Sequence, residues 1–133
     1  MSHQKKVIIA EKAPAAIGPY SAAVSTGHLV FTAGQLGLDP ATGDLVEGGI
    51  QAQTRQALTN LQAVLEAAGT GLDRVIKTTV FLKDIKEFGQ MNAIYGEFFT
   101  SDFPARSAFQ VGALPKGAAV EIEAVALLPE GEK

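Results

Sequence analysis

Residues 120–128 read Val-Glu-Ile-Glu-Ala-Val-Ala-Leu-Leu, and this alternation narrows the choice of fold more than any other stretch. A strand has a side-chain period of two, so Val120, Ile122, Ala124, Ala126 and Leu128 share one face. Glu121, Glu123, Val125 and Leu127 share the other. The first face is wholly aliphatic and needs a covering layer. The second is mixed, with two carboxylates followed by two aliphatic side chains. If the helices cover only the first face, the second needs some other partner.

The rest of the chain supplies two helices. From Ile50 the period changes, and Ala57, Leu58, Leu61, Val64, Leu65 and Ala68 recur on one helical face. Arg55, Gln56, Asn60, Gln62 and Glu66 occupy much of the opposite face, and Gly69 is placed to stop the helix as a left-handed cap. A second helix follows residues 84–87, with Phe88, Met91, Ile94, Tyr95 and Phe98 at helical spacing. That aromatic stripe reads as core. Asn92 lies off its centre.

Strands fill the remainder. Residues 5–9 form a short opening strand, and residues 13–20 form an irregular arm, because Pro14 and Pro19 each lack a donor. Residues 20–25 and 29–36 make a hairpin around Thr26-Gly27-His28. Gly34 interrupts its second strand, which implies a bulge, tight packing or close approach by another group. Residues 75–82 are rich in β-branched side chains and read as a central strand. Residues 103–115 carry Arg106 at the head of an apolar strand, turn on Leu-Pro-Lys-Gly, and return as the strand of residues 120–128. The order β-β-β-α-β-α-β-β predicts one α+β domain over residues 1–133, with flexible ends at 1–4 and 129–133. Two helices on one sheet face leave the other bare. A large exposed apolar patch is rare on a monomer, so the bare face predicts self-association.

Composition removes several classes of chemistry. A formal charge of −3 and a pI of about 5.3 give no global pull toward nucleic acid or anionic membrane. The chain has no cysteine, which excludes disulfides and thiol nucleophiles. Its two histidines, His3 and His28, fall in the terminus and a turn, so no metal site is expected. The apolar run of residues 7–10 is too short for a signal peptide or a span, which predicts a soluble cytoplasmic protein.

The residues left for chemistry are Arg106, Glu121, Tyr20 and Asn92. A guanidinium pairs bidentately with a carboxylate. A carboxylate can move a proton. Ser107 follows Arg106, but no histidine or lysine is recognisably placed to activate it. An anion receptor plus a carboxylate suits a small, already reactive substrate that needs positioning, a water and proton transfer. Arg106 and Glu121 are equally compatible with an interfacial ion pair that does no chemistry.

Gly18-Pro19-Tyr20-Ser21, Thr32-Ala33-Gly34-Gln35, residues 75–81, Pro104-Ala105-Arg106-Ser107 and Val120-Glu121-Ile122-Glu123-Ala124 together resemble the RidA family. This is the YjgF/YER057c/UK114 group of reactive-intermediate deaminases. The resemblance implies a chorismate-mutase-like fold and a homotrimer with clefts between adjacent subunits. It further implies cofactor-independent hydrolysis of enamine and imine intermediates, such as 2-aminoacrylate released by PLP-dependent dehydratases, to 2-keto acids and ammonia. Carried over, Arg106 would clamp the substrate carboxylate. Glu121 would position water and handle the proton, and Tyr20 would line the cleft and hold the same water. Asn92 and Phe88 would shape the pocket, backbone near Gly34 and Ala108 would complete it, and Glu123 would be structural. Ala33 and Ala108 stand where many members carry Ser and Cys. UK114-like members have also been credited with RNA cleavage or translation inhibition, and a non-catalytic carboxylate-binding or chaperone-like trimer would use the same cleft.

Overall fold

A computed structural model describes residues 4–129. The expectation of flexible ends falls, but for Gln4 and Pro129, outside these residues. The elements run β1 (Lys6–Ile8), β2 (Ala23–Ser25), β3 (Leu29–Thr32), β4 (Gln35–Leu36), α1 (Gly49–Ala67), β5 (Val75–Leu82), α2 (Phe88–Phe98), β6 (Ala105–Gln110) and β7 (Val120–Leu127). The second hairpin strand is thus two strands, parted at Ala33-Gly34. Gly69 takes the left-handed conformation expected of it, with φ 91°.

The sheet order is β1-β2-β3-β7-β5-β6, with β4 also pairing β7. All pairs are antiparallel except β5 with β6, which are joined by α2 as a parallel crossover. The strands on either side of the Leu-Pro-Lys-Gly turn do not lie side by side, because β5 separates them. The physical reason lies in the two flanking strands. β7 is buried at every second residue and belongs in the sheet interior, whereas β6 carries Arg106, Ser107 and Gln110 and tolerates an edge.

Both helices lie on one face. Val120, Ile122, Ala124 and Ala126 of β7 and Val80 and Leu82 of β5 meet Leu58, Leu61, Val64 and Leu65 of α1 and Met91 and Tyr95 of α2 in one continuous core. Asn60 does not sit on the polar side of α1 as its spacing predicts; it is only 1% exposed. Its Nδ2 donates to the carbonyls of Leu36 at 3.0 Å and Leu38 at 2.9 Å, and its Oδ1 accepts from Gln56 Nε2 at 2.9 Å. β4 is only two residues long, and Asn60 supplies the partner its exit would otherwise lack.

The other face carries Phe81 and Phe109 edge-to-face at 5.5 Å between ring centroids. Phe31 and Phe109 remain 46% exposed and Leu127 40% exposed, so the face is apolar and open in the single chain. Among the described residues no helix is long and apolar enough to cross a membrane.

Candidate active site

The period of two that shapes β6 turns Arg106 toward α2. Its register partner is Thr78, a buried residue of the helix-covered face. There Arg106 Nη1 donates to Asn92 Oδ1 at 2.6 Å. The guanidinium carbon stands 5.2 Å from the centroid of the Phe88 ring and 4.6 Å from that of Tyr95. Phe88, Asn92 and Tyr95 fall at i, i+4 and i+7 of one helix, so a single face of α2 supplies all three contacts. Each cation–ring contact contributes on the order of 1 kcal/mol at a partly buried site. No carboxylate among the described residues pairs with Arg106; the ion pair recorded is Arg55 with Glu97. Asn92 occupies one of the five guanidinium N–H donors, and the rest of the fork faces a cavity of about 400 Å³ lined by Tyr95, Gly96, Phe99, Phe103 and Pro104.

Glu121 belongs to a second cluster. Its register partners are Phe81 of β5 and Leu36 of β4, which places its side chain on the open face of the sheet. Burial, reinforced by the nearby charge of Glu123, raises its pKa above the ordinary carboxylate value. A side chain at residue 34 would collide with the Glu121 carboxyl, so Gly34 is what admits it. Close approach is therefore the reason for that glycine. Tyr20, half exposed at the end of the irregular arm, lines the same cavity of about 670 Å³, as does Lys116. The Tyr20 hydroxyl accepts the Ile17 N–H at 3.4 Å.

The structure thus brings the expected residues together in two groups. Arg106, Asn92 and Phe88 form one, with Ala108 two residues along the same side of β6. Tyr20, Gly34 and Glu121 form the other. The groups lie on opposite faces of the sheet with β5 between their strands, so within one chain Arg106 and Glu121 cannot form an ion pair or grip one small molecule.

Two residues escaped the sequence reading. The aromatic stripe marks Tyr95 as core alone, yet its ring carries the guanidinium; the i+3 spacing from Asn92 is the available signal. Lys77 was not seen as a neighbour of Ser107, because the parallel register of β5 and β6 is invisible in the sequence. Its Nζ donates to Ser107 Oγ at 3.0 Å. With lysine as the donor, the contact occupies the hydroxyl oxygen and takes no proton from it.

The family model described as endoribonuclease L-PSP matches residues 10–128. The chain belongs to that family, also known as YjgF/RidA. A curated bovine relative named 2-iminobutanoate/2-iminopropanoate deaminase is 53% identical over 123 residues, covering 92% of this chain and 90% of the relative. The human protein of the same name is 51% identical, with the same shares covered. The crystal structure of E. coli TdcF with bound serine superposes with a TM-score of 0.89 at 41% identity, covering 93% of this chain and 99% of that one. The α+β architecture with two helices on a mixed sheet is that of the YjgF/RidA structures.

Proposed function

We propose that this chain is a 2-iminobutanoate/2-iminopropanoate deaminase, working in the cytoplasm as a homotrimer. In that reading each cleft joins the Arg106 cluster of one subunit to the Tyr20, Gly34 and Glu121 cluster of the next. The observation that carries the reading is the half-buried Arg106 guanidinium, held in place on three sides and lacking a carboxylate partner among the described residues. A fork so placed is a receptor for a carboxylate brought by a ligand. The open face with Phe31, Phe109 and Leu127 supports assembly, because its exposed apolar surface calls for a partner.

The chemistry follows from the two groups. Arg106 binds the 2-imino acid through its carboxylate, and Asn92 and the two rings fix the plane of the fork. Glu121, with its raised pKa, takes a proton from water as the oxygen attacks the imine carbon. Tyr20 holds that water. The proton passes to nitrogen, the carbinolamine collapses, the C–N bond breaks, and 2-keto acid and ammonia leave. One water is consumed for each imine, and no electron changes hands.

The family description names an endoribonuclease, yet the curated relatives at 51–53% identity are named as imine deaminases. The chain carries a net charge of −3, which does not favour a phosphate backbone. The test is 2-keto acid formation while a serine or threonine dehydratase supplies the intermediate. Arg106→Ala should abolish acceleration, and Arg106→Lys should lose most of it, because a point charge lacks the fork. A wild-type protein that leaves the rate at that of spontaneous hydrolysis would end the deaminase reading.

A further inference from the structure

Beneath the Arg106 guanidinium, the Tyr95 side chain is anchored at its far end. Its hydroxyl and Thr78 Oγ1 lie 2.8 Å apart in a buried hydrogen bond. Tyr95 is 6% exposed and Thr78 is wholly buried. Thr78 sits on β5 directly opposite Arg106 on β6, and Tyr95 also packs on Phe99 with 4.6 Å between ring centroids. The strand pair therefore holds both ends of one arrangement: β6 delivers the guanidinium, and β5 delivers the hydroxyl that fixes the ring under it.

We infer that Tyr95 and Thr78 are positioning residues that set the plane of the Arg106 fork. The inference rests on the reading of Arg106 as the carboxylate receptor. A ring held only by packing can tilt about its side-chain torsions, and a stacked guanidinium tilts with it. The hydroxyl bond removes that freedom. Asn92 then fixes rotation within the plane by engaging Nη1. Stack and tether together leave one orientation of the free edge, aimed into the cavity between Tyr95, Phe103 and Pro104. Burial raises the Tyr95 pKa, while Thr78 and Arg106 act against it, so the phenol stays protonated and available for the bond.

Tyr95 is also core, so loss of function on its removal could be mere destabilisation, and the test separates the two. Tyr95→Phe keeps the ring but strands the Thr78 hydroxyl. Adding Thr78→Val removes both partners and should restore thermal stability toward wild type, because an apolar pair leaves nothing unsatisfied. If the bond positions Arg106, the double variant keeps a defect despite its restored stability. Its kcat/KM should fall about tenfold, and its Kd for 2-ketobutyrate should rise by a similar factor. Tyr95→Leu, which removes the ring as well, should weaken 2-ketobutyrate binding further. A double variant with wild-type Kd and kcat/KM would overturn the inference. The 2-ketobutyrate Kd is read by calorimetry without turnover, so it reports on positioning even if the protein fails to hydrolyse imines. Failure of the deaminase reading would show instead in the wild-type rate.

Discussion

Subunits carrying Arg106→Ala and subunits carrying Glu121→Gln, each inactive alone, should regain activity when they assemble together. The two residues lie on opposite faces of the sheet, and β5 separates their strands. The backbones of β6 and β7 are therefore about 10 Å apart, before the thickness of the sheet is added. In a closed ring each cleft would draw Arg106 from one subunit and Glu121 from its neighbour. A random equal mixture makes a cleft intact only when the first subunit is the Glu121 variant and the second the Arg106 variant, so about a quarter of wild-type activity should return. Wild type mixed equally with the Arg106→Ala/Glu121→Gln double variant obeys the same statistics and calibrates exchange. The assay is dehydratase-coupled keto-acid formation on the whole equilibrated mixture, unmixed oligomers included, since the quarter holds only for that population. Mixed oligomers no more active than either parent, alongside a calibrated control, would refute a cleft shared between chains.

Three further outcomes are expected. Gly34→Ala should displace the Glu121 carboxyl, lowering kcat/KM by about a hundredfold while far-ultraviolet circular dichroism stays unchanged. The rate should fall as pH drops through the raised pKa of Glu121, because a general base must be ionised. Burial is the main cause of that shift and the charge of Glu123 the second, so Glu123→Gln should move the acid limb of the kcat/KM profile to lower pH. Asn60→Ala should cost about 2–3 kcal/mol, since it leaves the Leu36 and Leu38 carbonyls without their donor; denaturant unfolding at fixed protein concentration reads the loss.

Local periodicity carried much of the fold. The aliphatic stripe of α1 and the alternation in β7 are patterns of neighbours in sequence, and the structure keeps both, with Ala57, Leu58, Leu61, Val64 and Leu65 buried in the helix and Ala68 at its C-cap. Strand pairing is not local. Nothing in residues 103–128 says that a strand made some thirty residues earlier will come between the two halves, and so the split of Arg106 from Glu121 was hidden. Asn60 misled because a helical wheel marks it polar, while the structure uses that polarity inside to satisfy a strand end. Tyr95 was legible as core but not as support, since a buried ring and a stacked ring share one spacing. The arginine itself stood out in the sequence because a charge at the head of an apolar strand calls for a reason.

The place of β7 also sets a schedule. It joins β3 and β4 on one side to β5 on the other, so until residues 120–127 are made, the sheet exists as two separate ribbons. The hairpin then lacks its neighbouring strand and α1 lacks the β7 side chains it packs on, while β5, α2 and β6 can already fold as a local crossover with its own short contacts. Without β7, part of the apolar side of α1 has no cover. Closure of the sheet thus depends on β7 pairing with strands far from it in sequence, and a chain in which that strand has not yet inserted exposes the surface on which aggregation draws.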